Sequence, residues 1–267
     1  MVKQISSIQN PLIKELYQLK EKSRVRKKTG RFLIEGRREI SLAIKGQYKI
    51  DTVLFDSGII SIESIREIIP TTDTVIIEIT SEVYNKLAYR STTEGIIAVS
   101  KTKELKLSNI KFQTSAPLIL VAEAPEKPGN IGALLRTADA AKVDAFLIAN
   151  PKTDIYNPNI IRSSIGCIFT NQIAMGTTEE IIQFLKTNKI NIYCAALTDH
   201  AKNYSEQNYT NASAFVVGTE AVGLSEEWLE NSFKNILIPM HGEIDSLNVS
   251  VSAGILIFEA KRQRDFL

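Results

Sequence analysis

Apolar positions fall along this chain in two periods. Short continuous runs rich in β-branched residues read as strands buried on both faces, and apolar residues three or four apart read as helices packed on them. Over the second half, strands are predicted at 118–122, 145–148, 190–195, 214–217 and 235–238, with a further short one near 167–173. Helical patterns lie between them and end in a long apolar helix from about Asn248 to Arg264. Such alternation predicts an α/β fold with a mostly parallel sheet covered on both faces. The first hundred residues repeat the theme on a smaller scale. Strands are expected at 32–34, 52–55, 75–77 and 96–99, with helices near 37–44, 63–69 and 82–89. Leu12, Leu16 and Leu19 recur at helical spacing behind Asn10-Pro11, where Asn suits the cap and Pro the first turn. Residues 101–116 are rich in Lys, Ser and Thr without clear period. They are taken as a linker between domains at 1–100 and 117–267.

Composition adds bounds. The length of 267 residues suits one large or two small domains, and 44% hydrophobic with 23% charged residues is ordinary for a globular chain. No apolar run approaches the ~20 residues that span a bilayer, and the opening Met-Val-Lys-Gln-Ile-Ser-Ser lacks the layout of a signal peptide. Cys167 and Cys194 are far apart, with no His at metal-ligand spacing, so two reduced cysteines and a cytoplasmic location are expected. The net charge of +2 hides a basic stretch: between Lys14 and Arg38 stand ten bases, Arg24, Arg26, Lys27 and Lys28 at its centre, against Glu15, Glu21 and Glu35. A solvated helix end would account for it; contact with RNA phosphates is the rival reading.

The candidate chemistry lies where predicted strands end. Asn130-x-Gly132-x-x-x-Arg136 follows the first strand of the second half. Gly218-x-Glu220-x-x-Gly223 follows the strand at 214–217, and Ile238-Pro239-Met240 leads to Ser246-Leu247-Asn248-Val249 at the start of the last helix. All three lie at the carboxyl ends of strands, where ligands bind in α/β proteins. Ser246 and Asn248 have short side chains suited to capping the helix they precede, and Asn130 could cap its own. Each motif alone is common; the ordered set resembles the SpoU (TrmH-like) RNA ribose 2′-O-methyltransferases of the SPOUT superfamily, over about residues 117 to 264. Ser7-x-x-Asn10-Pro11-x-Ile13-Lys14 followed by Arg31-Phe32-Leu33-Ile34-Glu35-Gly36 is similar to the opening of the L30-like substrate-binding domain often fused ahead of it.

The resemblance implies a SPOUT-type sheet whose C-terminal segment threads a trefoil knot, which physical reasoning would not suggest because knots are almost absent from proteins. It implies S-adenosyl-L-methionine as cofactor, with no metal, and a homodimer. Its substrate would be RNA, ribosomal rather than transfer RNA given the appended domain. It assigns catalytic positions to Arg136, Asn130, Glu220, Ser246 and Asn248, and cofactor contacts to Gly218, Ile238 and Leu247. A guanidinium is not deprotonated in proteins, so Arg136 is expected to anchor phosphate and stabilise the developing alkoxide rather than act as base. No residue is assigned to proton removal. Glycine at 218 would let a backbone approach closely. His200, His241 and Trp228 lack partners at useful spacing and are read as loop and packing residues. A Rossmann enzyme would need G-x-G-x-x-G after its first strand, and Gly129-Asn130-Ile131-Gly132 lacks that spacing. A transfer RNA enzyme and a non-catalytic RNA-binding module of the same fold remain as alternatives; the complete set of motif residues opposes the second.

Overall fold

A computed structural model describes residues 2–69, 73–89, 94–219 and 222–266. The chain forms two compact units, and they divide it differently from the expected domains. Unit 1 holds Met1–Glu104 together with Asp154–Thr170; unit 2 holds Leu105–Thr153 and Asn171–Leu267.

In unit 1 the chain runs β1 (Lys3–Ile5), α1 (Pro11–Glu21), α2 (Ser23–Thr29), β2 (Arg31–Glu35), α3 (Arg37–Lys45), β3 (Ile50–Asp56), α4 (Ile62–Ile68), β4 (Val75–Ile79), α5 (Ser81–Leu87) and β5 (Ile96–Lys101). The sheet order is β1-β4-β3-β5-β2, parallel among β1, β4 and β3 and antiparallel where β5 joins β3 and β2. The Asn10 side chain caps α1, accepting from the Leu12 N–H at 2.9 Å, and Ile13, Leu16 and Leu19 are fully buried beneath it. Edge strand β2 is nevertheless buried, because residues 154–170 pack there. Tyr156 stacks on Phe32 at 4.4 Å between ring centroids, and Tyr48 and Phe169 complete the cluster. Arg26 is 3% exposed; its Nε meets Asp154 Oδ2 at 2.5 Å and its Nη1 donates to the carbonyls of both Leu19 and Lys20. Asp154–Thr170, with α7 (Pro158–Ser163), therefore packs with unit 1, although in sequence it lies within the range 117–267 expected as the second domain.

Unit 2 runs β6 (Leu118–Glu123), α6 (Pro128–Ala140), β7 (Ala145–Ala149), β8 (Ile173–Gly176), α8 (Thr178–Thr187), β9 (Asn191–Ala195), β10 (Lys202–Asn203), β11 (Ser213–Val217), α9 (Glu226–Asn231), β12 (Lys234–Leu237) and α10 (Val249–Gln263). The sheet order is β10-β12-β9-β11-β6-β7-β8, with every pairing parallel. β6, β7 and β11 are buried along their whole length, as a parallel sheet covered on both faces requires. The segment expected as a linker is not free. Leu107, Ile110 and Phe112 pack on the unit 2 core, Leu105 O accepts from Met175 N–H at 2.8 Å, and Lys111 exchanges two hydrogen bonds with Gln172. The expected strand near 167–173 is a 3₁₀ turn at Cys167–Phe169, with β8 beginning only at Ile173.

Candidate active site

Because all strands of unit 2 run the same way, the loops leaving their carboxyl ends share one edge of the sheet. There, beyond β9, β11 and β12, a cavity of about 520 Å³ opens. Its walls are residues 195–198, 217–219, 222–224 and 236–238, with Met240, residues 245–247 and the first turn of α10. Gly218, Ile238 and Leu247, the three expected cofactor positions, all line it, as does Ser246. The walls mix apolar Leu197, Val222, Leu224, Ile236 and Met240 with Thr198, Thr219 and Asp245. That suits a ligand with one flat apolar part and several polar ends, and the volume lies in the range of small-molecule sites.

Gly218 is required by the chain itself. A Cβ there would lie 2.3 Å from the Gly223 carbonyl and 2.7 Å from Leu224 N, because the loop folds back on itself. Thr219 and Gly223 close it with two backbone hydrogen bonds of 3.1 Å, and Gly223 takes φ +68°. The close approach anticipated at Gly218 is thus to the Gly223–Leu224 backbone. Glu220 lies outside the described residues.

Of the other expected residues, Asn130 and Asn248 meet where α6 packs on α10. Asn248 caps α10, its Oδ1 accepting from the Ser250 N–H at 3.0 Å and the Ser250 hydroxyl at 2.6 Å. Its Nδ2 donates to Asn130 Oδ1 at 3.3 Å. Asn130 is not the cap of α6: the helix starts at Pro128, and Lys127 holds the N-cap position. The asparagine side chain instead joins the first motif to the third. Ser246 is exposed at the cavity and does not cap; Asn248 alone does so through its side chain. Since Leu247 and Val249 line the cavity on either side of Asn248, the start of α10 links cavity and Asn130. Arg136 is exposed on α6 and, among the described residues, makes no hydrogen bond or ion pair. A helical side chain leans toward the N-terminus, here toward the turn that carries Asn130.

In unit 1, Arg24, Lys27 and Lys28 are exposed on α2 and remain available to phosphate. Arg26 is corrected: it is buried against Asp154 and two carbonyls and so cannot serve as an RNA contact. Sequence reasoning missed Glu123, which is 7% exposed with both carboxylate oxygens hydrogen-bonded. A lone charge closing the apolar run at 118–123 was the available signal. Among the described residues no group of three His, Cys, Asp or Glu is placed to hold a metal. Cys194 is buried, and burial with the nearby Glu123 charge pushes its thiol up to about 12, so it stays protonated and inert.

Known proteins are similar to this chain in sequence and fold. Residues 117–258 match the SpoU rRNA Methylase family, and residues 10–98 match the MRM3-like substrate binding domain. The 23S rRNA (guanosine(2553)-2′-O)-methyltransferase RlmP of Bacillus subtilis (strain 168) is 30% identical over 260 residues, 97% of this chain and 100% of the relative. A crystal structure of an RNA 2′-O ribose methyltransferase superposes with a TM-score of 0.84 at 36% identity, covering 98% of this chain and 99% of that one. The SpoU methyltransferase AviRb from Streptomyces viridochromogenes, in complex with the cofactor AdoMet, superposes with a TM-score of 0.87 at 25% identity, covering 96% and 99%. With the family match spanning more than half of the chain, this protein belongs to the SpoU rRNA methylase family.

Proposed function

We propose that this chain is an S-adenosyl-L-methionine-dependent RNA methyltransferase that modifies a ribose 2′-hydroxyl, with ribosomal RNA as its substrate. One observation carries the reading: three motifs distant in sequence converge on one place. Gly218, Ile238 and Leu247 line a single cavity, and Asn248 at its edge is bonded to Asn130. The cavity fits the cofactor in volume and in its mixture of apolar and polar wall. When bound, S-adenosyl-L-methionine supplies a methyl group already made electrophilic by its sulfonium. The chain's own task is then to align a ribose oxygen with that methyl, and well-aligned groups reach effective concentrations of roughly 10⁵ M. Backbone around Gly218 and the side chains of Ile238 and Leu247 hold the cofactor. Asn130 and Asn248 fix α6 against α10, and Arg136 offers a permanent cation to the RNA phosphate and to the oxygen that gains charge as its proton leaves. Glu220 belongs to the same catalytic set, and Ser246 orders the cavity's edge.

Several finer parts belong to this reading. Full-length similarity to a 23S enzyme and the MRM3-like domain favour ribosomal RNA. Exposed Arg24, Lys27 and Lys28 would meet its backbone. A homodimer built through unit 2 would cover Val251 and Phe258, which α10 leaves 49% and 43% exposed. The C-terminal segment would be threaded as the trefoil knot of the superfamily. No helix of the described residues is long and apolar enough to cross a membrane, and a cytoplasmic location belongs to the same proposal.

The test is methyl transfer from labelled S-adenosyl-L-methionine to purified ribosomal RNA. Label is expected on a ribose oxygen, and it should vanish when the target nucleotide is 2′-deoxy. Label on a base, or no transfer to any RNA, would overturn the reading; transfer only to tRNA would overturn its ribosomal part. Mapping ribose methylation in RNA from cells with and without the gene then locates the nucleotide.

A further inference from the structure

We propose that Glu123 is a positioning residue that ties the wall of the cofactor cavity to the loop leading into α6. The inference rests on reading that cavity as the S-adenosyl-L-methionine site. Glu123 ends β6 and is 7% exposed. Its Oε1 accepts from the Ser225 hydroxyl at 2.7 Å and the Thr178 hydroxyl at 3.2 Å, and its Oε2 accepts from the Ser225 N–H at 2.8 Å. Thr178 Oγ1 in turn accepts from Asn150 Nδ2 at 2.9 Å, just beyond β7. A single buried anion thus joins the carboxyl ends of β6 and β7 to the start of α8 and the residue before α9.

Two of those junctions belong to the site. Ser225 follows residues 222–224, which form part of the cavity wall. The other end of that loop is fixed at Gly218, where the chain folds against Gly223, so Glu123 secures the exit that β11 does not reach. On its own strand, Glu123 is followed at once by Ala124, which takes φ +44° and donates its N–H to Ala149 O at 2.8 Å. From there the chain turns into α6, with Asn130 and Arg136. Movement of the Glu123 carboxylate would therefore shift the cavity wall and the approach to α6 together.

The choice of an anion supports the role. Burying a carboxylate costs several kcal/mol before its partners offset it. Three donors converge on its two oxygens. An amide in its place keeps one acceptor and turns an NH₂ toward donors, so geometry is lost even where volume is kept. Charge-assisted hydrogen bonds are also shorter and stronger than neutral ones, which suits a strut better than a filler.

The experiment uses the full chain, with Glu123→Gln, Ser225→Ala and the double variant. Calorimetric titration with S-adenosyl-L-methionine and single-turnover methylation are measured beside the melting temperature and RNA affinity. Each single variant is expected to weaken cofactor binding about tenfold with RNA affinity unchanged. The double variant should be no weaker than the worse single, since the two groups act as one. A part that only supports the fold would lower the melting temperature and leave the cofactor Kd of the folded protein at its wild-type value; that result overturns the proposal. Additive losses in the double variant overturn it too. Ser225→Ala decides alone if Glu123→Gln does not fold. Failure of the wild-type chain to bind the cofactor would remove the cofactor reading and this one with it, whereas wild-type binding with unchanged variants removes only the coupling.

Discussion

At the scale of single residues, neighbours in sequence have separate fates. Arg26 lies between Arg24 and Lys27 in a stretch that reads as uniformly basic, yet it alone turns inward to Asp154 and the Leu19 and Lys20 carbonyls. Nothing in the local sequence distinguishes it, because its partner stands far along the chain. The two kinds of cation should respond differently to replacement. Arg26→Ala leaves a buried Asp154 unpaired, a loss of about 3–5 kcal/mol in comparable pairs, and should lower the melting temperature while the salt dependence of RNA binding by the folded protein stays put. Replacing Arg24, Lys27 and Lys28 together should leave melting unchanged and flatten the log–log salt dependence by up to ~0.7 for each phosphate no longer neutralised. Equal melting of Arg26→Ala and wild type would contradict the buried assignment. An unaltered salt slope in the triple variant would return α2 to ordinary solvated surface. Glu123, by contrast, is legible as the only charge in its strand, but its partners Ser225 and Thr178 are not.

Elements are most legible where burial is complete. β6, β7 and β11 are buried from end to end because helices cover both faces of their sheet, and their nearly unbroken apolar runs alone place the motifs at strand ends. α10 is equally clear, and its cap at Asn248 is one of two candidates, Ser246 being the other. Less legible are elements held by distant contacts. β1 is three residues long and gains its place by pairing with β4, while α2 has little apolar surface to repeat. Residues 154–170 join unit 1 through Tyr156 and Phe169 stacking near Phe32, a contact no periodicity announces. Leu107, Ile110 and Phe112 are too sparse to mark their segment as packed. Asn248→Ala tests the element that joins two motifs. It removes a cap, costing about 1 kcal/mol of stability, and also the link to Asn130. Methylation should therefore fall more than the stability loss explains, with circular dichroism and single-turnover rates measured on the same sample. A variant that melts earlier but methylates normally would reduce Asn248 to a cap.

For the whole molecule, a small unit carrying exposed cations is joined to a larger one whose parallel sheet carries a cavity at its carboxyl edge, the proposed cofactor site. The proposed dimer predicts that light scattering at micromolar concentration gives about twice the chain mass of 29.7 kDa, and a monomer mass would contradict it. The central claim is that the motifs converge to do chemistry and not merely to bind. Arg136 tests it most directly, being exposed and, among the described residues, engaged in no structural bond. Its removal should leave fold and cofactor affinity nearly intact. Single-turnover methylation of RNA by Arg136→Ala, at saturating S-adenosyl-L-methionine and RNA, is predicted to slow by on the order of 10²-fold or more. A wild-type single-turnover rate would contradict the account.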